Sequence, residues 1–169
     1  MRALGLGVVV GMLALVVGVR LARSQAPAAT PGMPAEHTVM APSDVKWGDP
    51  PPALPKGAQM AVLAGDPTKT GLFVLRLKMP AGYKIMPHSH PTDENITVLS
   101  GSFVAGMGDK FDPQTKALPA GSFVHMPAKM HHFAMAKGET TVEIASMGPF
   151  VINYLDPKDD PSKKQAAAR

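Results

Sequence analysis

The chain has 169 residues, with 17 Lys+Arg against 13 Asp+Glu, 45% hydrophobic residues, 18 Pro, 16 Gly and no Cys. That length fits one domain with terminal extras, and the absence of Cys excludes disulfide scaffolds, zinc ribbons, iron–sulfur clusters and cysteine nucleophiles. Arg2, Arg20 and Arg23 lie in the first 28 residues, which hold no acid; the remaining 14 bases face 13 acids, so the rest of the chain is near neutral and carries no basic stripe for nucleic acid. Aromatic residues make up only 5%, which also argues against a stacking surface for single strands.

The N-terminus reads as a targeting segment. Arg2 supplies a positive charge, and residues 3–19 form an unbroken run of apolar and Gly residues. The run is long for a signal core and short for crossing about 30 Å of hydrocarbon. Ala26-Pro27-Ala28 offers small residues for cleavage. Residues 1–28 are therefore a signal peptide or N-terminal anchor, and the protein is expected to be exported, periplasmic or extracellular. Membrane contact is expected only through this segment, if it is retained. Residues 29–58 are a Pro/Ala-rich linker and arm. Pro50-Pro51-Pro52 and Pro55 favour extended backbone, and Val45 and Trp47 are worth burying, so 41–58 is expected to be ordered.

From residue 59 short apolar runs alternate with turn residues. The runs cover 59–64, 71–79, 83–88, 94–100, 102–107, 121–126, 131–136, 140–146 and 149–154. Their number and spacing predict an all-β antiparallel sandwich or barrel over 59–156. The segment 109–119 reads as a hairpin loop at one end of it. The charged, Ala-rich residues 157–169 read as a frayed tail.

The chemistry is concentrated in two segments. His88 and His90 are two apart, so on a strand both imidazoles point to one face. Glu94 opens the next apolar run and can point to the same interior. Two imidazoles and a carboxylate suit Zn, Mn, Fe, Ni or Cu in the +2 state. A third imidazole comes from His131 or His132; neighbours on a strand face opposite sides, so only one of them can join. His125 is given a structural or pocket-lining role, and His37 lies in the tether. Met86, Met126, Met130 and Met135 read as adaptable core filling. Lys84 shares parity with His88 and reads as a solvated strand end. Asn95-Ile96-Thr97 matches a glycosylation sequon but lies inside a strand, so it is taken as chance. No Walker loop, GxGxxG, GxSxG elbow or HExxH occurs, which removes support for nucleotide, serine-hydrolase and zincin chemistry.

These residues resemble the cupin superfamily. Its first motif runs Gly, five residues, His-x-His, three residues, Glu, six residues, Gly, and is matched throughout by Gly82, His88, His90, Glu94 and Gly101. Its second motif is matched by Gly121 and Pro127, a spacing that puts the ligand at His132. Lys129 stands where the motif has its turn Gly, implying a different turn, and Ala136 stands where it has Asn. The resemblance implies a jelly-roll β-barrel holding one divalent metal ion (Fe, Mn, Zn, Ni or Cu) through His88, His90, Glu94 and His132. It further implies an oxidoreductase, dioxygenase-like, acting on a small organic molecule; the alternative is a non-catalytic zinc-loaded module that binds or senses a small ligand. Glu94 is the one candidate catalytic residue, as a base that could leave the metal. A homodimer through a sheet edge is a further expectation, with the 41–58 arm as a possible cover for that edge.

Overall fold

The computed structural model describes residues 37–167. The leader 1–28 and most of the tether lie outside the described residues, and no helix among the described residues is long and apolar enough to cross a membrane.

Among the described residues ten strands form two antiparallel five-stranded sheets. The first has the order β1 (Gln59–Ala64), β2 (Gly71–Met79), β9 (Thr140–Gly148), β4 (Glu94–Ser100), β7 (Phe123–Met126). The second has the order β10 (Asn153–Tyr154), β3 (Lys84–Ser89), β8 (His132–Ala136), β5 (Ser102–Met107), β6 (Leu118–Pro119). The chain passes repeatedly between the sheets, which gives the jelly-roll sandwich that the sequence leads one to expect.

The period-2 pattern decides which faces meet. On β2 the buried residues are Phe73, Leu75, Leu77 and Met79, and on β9 Val142 and Ile144 alternate with partly exposed neighbours. These inward rows pack with Ile96, Val98, Phe103 and Ile85 into one core, the arrangement expected of stacked sheets with one wet face each. β8 departs from the alternation, being buried along its whole length. Its outer face is covered by the segment 109–119, where Phe111 and Ala117 pack on Val104, Phe133 and Met135 and the Phe111 and Phe133 rings lie 5.0 Å apart. That segment is thus a flap over the second sheet, and it contains β6, rather than a plain hairpin loop.

Two other expectations change. The run 149–154 is a strand only at Asn153–Tyr154, because Phe150 and Ile152 turn onto the core instead and the Phe150 amide donates to Pro67 O at 2.7 Å. Pro161–Ala167 forms a short helix where a frayed tail is expected; Asp160 Oδ1 accepts from the Ser162 amide (2.9 Å) and hydroxyl (2.6 Å) at its start. The arm is ordered, with Val45 and Leu54 buried, while Trp47 remains 36% exposed. Gly48 and Met60 exchange two 2.9 Å backbone hydrogen bonds, which lays the arm against the outer edge of β1 and shields part of that edge.

Gly101 joins β4 to β5 with φ +83, and a Cβ there would stand 2.2 Å from Glu139 O. Both the backbone angle and the space require Gly. Gly101→Ala should lower stability by about 1–3 kcal/mol, read as a reduced urea midpoint at unchanged slope; an unchanged midpoint would mean that the turn is not fixed as described.

Candidate metal centre

The candidate ligands are brought together by register. His88 near the end of β3 lies directly opposite His132 at the start of β8, so their rings meet with centroids 4.2 Å apart. His90, two residues on, projects to the same side; its ring lies 4.9 Å from His88 and 5.1 Å from His132. One ligand nitrogen from each of the three can lie within 4.8 Å of the others. Glu94 comes from the opposite sheet, where it opens β4. Its Oε2 is 3.4 Å from His132 Nε2 and 3.6 Å from His90 Nε2. All four side chains are buried, at 3–5% exposure. The cluster therefore sits in the seam between the sheets, with imidazoles from one and a carboxylate from the other.

The rings are oriented by the backbone. His88 Nδ1 lies 2.7 Å from Met86 O, His90 Nδ1 2.8 Å from Val151 O, and His132 Nδ1 3.0 Å from Met130 O. A carbonyl only accepts, so each Nδ1 carries the hydrogen and each neutral ring presents an unprotonated Nε2. The Nε2 atoms of His90 and His132 are buried without a hydrogen-bond partner. A buried acceptor left unpaired costs roughly 1–3 kcal/mol. Two such lone pairs facing a carboxylate are the donor chemistry that a divalent cation satisfies, and tying Nδ1 to a carbonyl is the usual way a metal-binding imidazole is held. The residues present fit a metal.

The two motif loops are bonded to each other. Lys129 N donates to His90 O at 2.7 Å and Ala128 N to Asp93 Oδ1 at 2.7 Å. Ser146 Oγ donates to Asp93 O at 2.6 Å, steadying the turn that delivers Glu94. Pro127 O accepts from Met130 N at 3.1 Å, and Lys129 has φ +66, the left-handed angle that position i+2 of a type II turn needs. The expectation of a different turn at Lys129 is thus not met: Lys129 adopts the conformation that Gly favours.

The remaining sequence candidates fall outside the cluster. His131 is on the surface with Nδ1 2.7 Å from Asp109 Oδ1. His125 is exposed and paired with Asn95 Oδ1 at 2.9 Å across β4 and β7, a structural contact on the outside of the sheet. Lys84 reaches over the Phe111 ring, 5.3 Å from its centroid. Met126 and Met135 are buried and Met130 is exposed at 38%. Sequence reasoning missed Phe150, which stacks on His90 at 4.3 Å and 15°, and Val151, whose carbonyl holds that ring. It also missed Ser146. None has a motif signature; a long-range pairing is their only signal.

A cavity of about 350 Å³ opens beside the cluster and is bounded by His88, His90 and Glu94 on one side. Its cover is the 51–55 stretch of the arm, pinned where Tyr83 Oη donates to Pro55 O (2.6 Å) and Tyr154 Oη to Ala53 O (2.8 Å). Burial pushes both phenols above their ordinary range, so they remain donors.

Residues 35–151 match the family of the ChrR cupin-like domain. The chain belongs to this family. The cupin-like fold is shared with solved structures of low identity. The polyketide cyclase RemF from Streptomyces resistomycificus aligns with a TM-score of 0.63 at 16% identity, over 78% of this chain and 94% of that one. An acetylacetone dioxygenase from Acinetobacter johnsonii aligns at 0.58 and 15%, over 85% and 97%. KdgF from a Halomonas species aligns at 0.52 and 20%, over 65% and 94%. No curated protein matches the sequence significantly. The cupin-like match spans both motif loops and all four clustered side chains.

Two predictions follow from the cluster and its loops. Lys129→Gly should be tolerated and raise stability by up to about 1 kcal/mol, since a non-Gly residue in the left-handed region costs about 1–2 kcal/mol and Gly pays back part of that in unfolded-chain entropy; a lower thermal midpoint would contradict the turn assignment. Burial, aided by the neighbouring His132 and His90 rings, pushes His88 down to about 3, and burial likewise lowers His90. A free imidazole titrates near 6.5, so the unfolded chain binds more protons below that pH. Chelator-treated protein should be fully stable above about pH 6.5 and lose stability progressively as the pH falls from there toward 3. Urea midpoints that do not change between pH 7.5 and 5 would show the rings to be solvated.

Proposed function

We propose that this chain is an exported metalloprotein in which His88, His90, His132 and Glu94 hold one divalent ion, and that it is an oxidoreductase acting on a small organic molecule. The observation that carries the reading is the convergence of imidazoles whose Nδ1–H groups are committed to carbonyls, with two Nε2 atoms buried and unpartnered beside Glu94. The adjoining cavity supports a small-molecule ligand, and the acetylacetone dioxygenase and polyketide cyclase that share the fold support small-molecule chemistry. Export rests on the apolar leader 3–19.

When bound, a redox-active ion would supply a Lewis-acidic, electron-transferring centre at the cavity floor. The chain's own contribution is to fix the rest. The carbonyls of Met86, Val151 and Met130 lock ring orientation. Glu94 brings a negative charge that lowers the cost of a cation in a dry seam. Phe150 covers one face of the His90 ring, and the arm walls the cavity beside it. Glu94 is also the carboxylate placed to take a proton from a ligand entering the cavity.

The site is tested by elemental analysis of the full chain. His88→Ala, Glu94→Ala and His132→Ala should each abolish stoichiometric metal, a larger effect than the ~10–100-fold loss that follows removal of an outer hydrogen-bond partner. His131→Ala should retain the metal; greater loss from His131→Ala than from His132→Ala would reverse the assignment. Oxygen uptake with a phenolic substrate and a redox metal would support the oxidoreductase. Zinc alone, with saturable ligand binding and no turnover, would make the chain a binding module instead.

A further inference from the structure

We propose that the cavity beside the cluster is the binding chamber for an uncharged, largely apolar molecule with a single oxygen donor at one end, and that it rejects polyhydroxylated and phosphorylated compounds. The inference rests on the reading of the cluster as a metal site, because the donor end is placed there. It goes further in assigning what the rest of the ligand must be.

Volume sets the first limit. An apolar cavity of about 150 Å³ is enough to hold benzene, and this one measures about 350 Å³. It therefore accommodates a substituted or fused ring, or a branched chain of similar bulk. Lining chemistry sets the second. Away from His88, His90 and Glu94 the walls are Leu54, Leu75, Leu77, Ile144, Phe150 and Ile152, with small apolar residues of the arm. Among the described residues no Lys, Arg, Asn or Gln lines it. Its other polar side chains are Thr68, Asp160 and Ser162, and the two hydroxyl hydrogens among them are already committed. Thr68 Oγ1 donates to Asp66 Oδ1 at 2.6 Å, and Ser162 Oγ donates to Asp160 Oδ1 at 2.6 Å.

A sugar or sugar acid would enter this space with several hydroxyls and, away from the cluster end, find acceptors only at Thr68, Asp160 and Ser162 and no free side-chain donor. Stranding each buried hydroxyl is worth roughly tenfold in affinity. A phosphate would find no Lys or Arg among the wall residues and would meet the carboxylate of Asp160, which already has Lys163 Nζ 4.0 Å away. A molecule that is apolar except for one oxygen donor suffers neither penalty: its body takes the walls and its donor faces His88, His90 and Glu94. The arm makes the preference a property of a formed wall, because the two tyrosine hydrogen bonds at Pro55 and Ala53 hold that stretch in place.

The test is calorimetric titration of the full chain, loaded with zinc, with 2-naphthol, D-gluconate and inorganic phosphate. 2-Naphthol should bind at least about tenfold more tightly than either anion. Ala53→Phe, at a half-buried wall position outside the core, should weaken 2-naphthol by about tenfold or more with zinc content and melting temperature unchanged. Ile152→Trp, at a second half-buried wall position, should likewise weaken 2-naphthol with zinc content unchanged. Gluconate or phosphate binding as tightly as 2-naphthol overturns the proposal, as does 2-naphthol binding that neither folded variant disturbs. Zinc content measured on the same samples separates the two readings. A chain that holds no zinc yet selects 2-naphthol, and loses it in the variants, keeps the chamber and rejects the metal site. A zinc-loaded chain indifferent to 2-naphthol rejects the chamber alone.

Discussion

Three imidazole Nδ1–H groups donate to three backbone carbonyls, and most of what is distinctive in this structure is arranged around that fact. Two of those carbonyls, Met86 O and Met130 O, lie two residues before the histidine they hold. They come with the strand, and the in-register pairing of His88 with His132 then sets both rings side by side. The third, Val151 O, arrives from 61 residues away. His90 stands just beyond the end of β3, where no ladder fixes it, so the chain uses a distant carbonyl and the face of Phe150 to supply what strand pairing does not. Preorganised rings in a dry seam bind a cation without the entropy of ordering them.

The carboxylate has to come from the other sheet, and that makes sheet packing part of the site. Glu94 is placed by the turn that ends at Asp93, and this turn is held on both flanks. Asp93 accepts the Ala128 amide through its side chain and the Ser146 hydroxyl through its carbonyl. The second motif loop is thus anchored to the first by Ala128 and Lys129, and one end of the sandwich behaves as a single hydrogen-bonded unit. It explains why Lys129 keeps the left-handed angle: the turn is dictated by the amides it must present to His90 O and Asp93 Oδ1, and the residue accepts the strain.

The sequence reveals those features that depend on spacing. β1, β2, β4 and β5 have the boundaries expected from alternation and turn glycines, because a period of 2 read between breakers is local information. His88, His90 and Glu94 are legible for the same reason, and His132 follows once the second motif is aligned. What stays hidden depends on pairings remote in sequence. The flap 109–119 looks like a loop because its partner surface on β8 is 20 or so residues away. Residues 149–154 look like a strand because an apolar run does not say whether it joins a ladder or drops onto a core. His125 is set apart from the ligand histidines by sequence, but which partner it takes stays hidden until β7 is seen at the edge of its sheet, facing Asn95 across the pair.

The division between family and chain runs through the site. All four clustered side chains, and the turns that fix them, lie within the 35–151 span that matches the ChrR cupin-like domain. The cover of the cavity lies only partly within it: the 51–55 stretch of the arm is inside that span, whereas Tyr154, which pins the arm, and Asp160 and Ser162 come after it. A sandwich of two sheets can hold a cation at its seam with the strands alone, since register and parity aim the donors. It cannot by itself decide what sits next to the cation, because the open end of the sandwich is as wide as the gap between sheets. Here both ends of the domain fold over that opening and present apolar side chains, so the donor set and the selectivity are determined by different stretches of sequence. Substitutions in the arm and the C-terminal segment are therefore expected to alter which molecule enters while leaving the donors intact, and substitutions at β3, β4 and β8 to do the reverse.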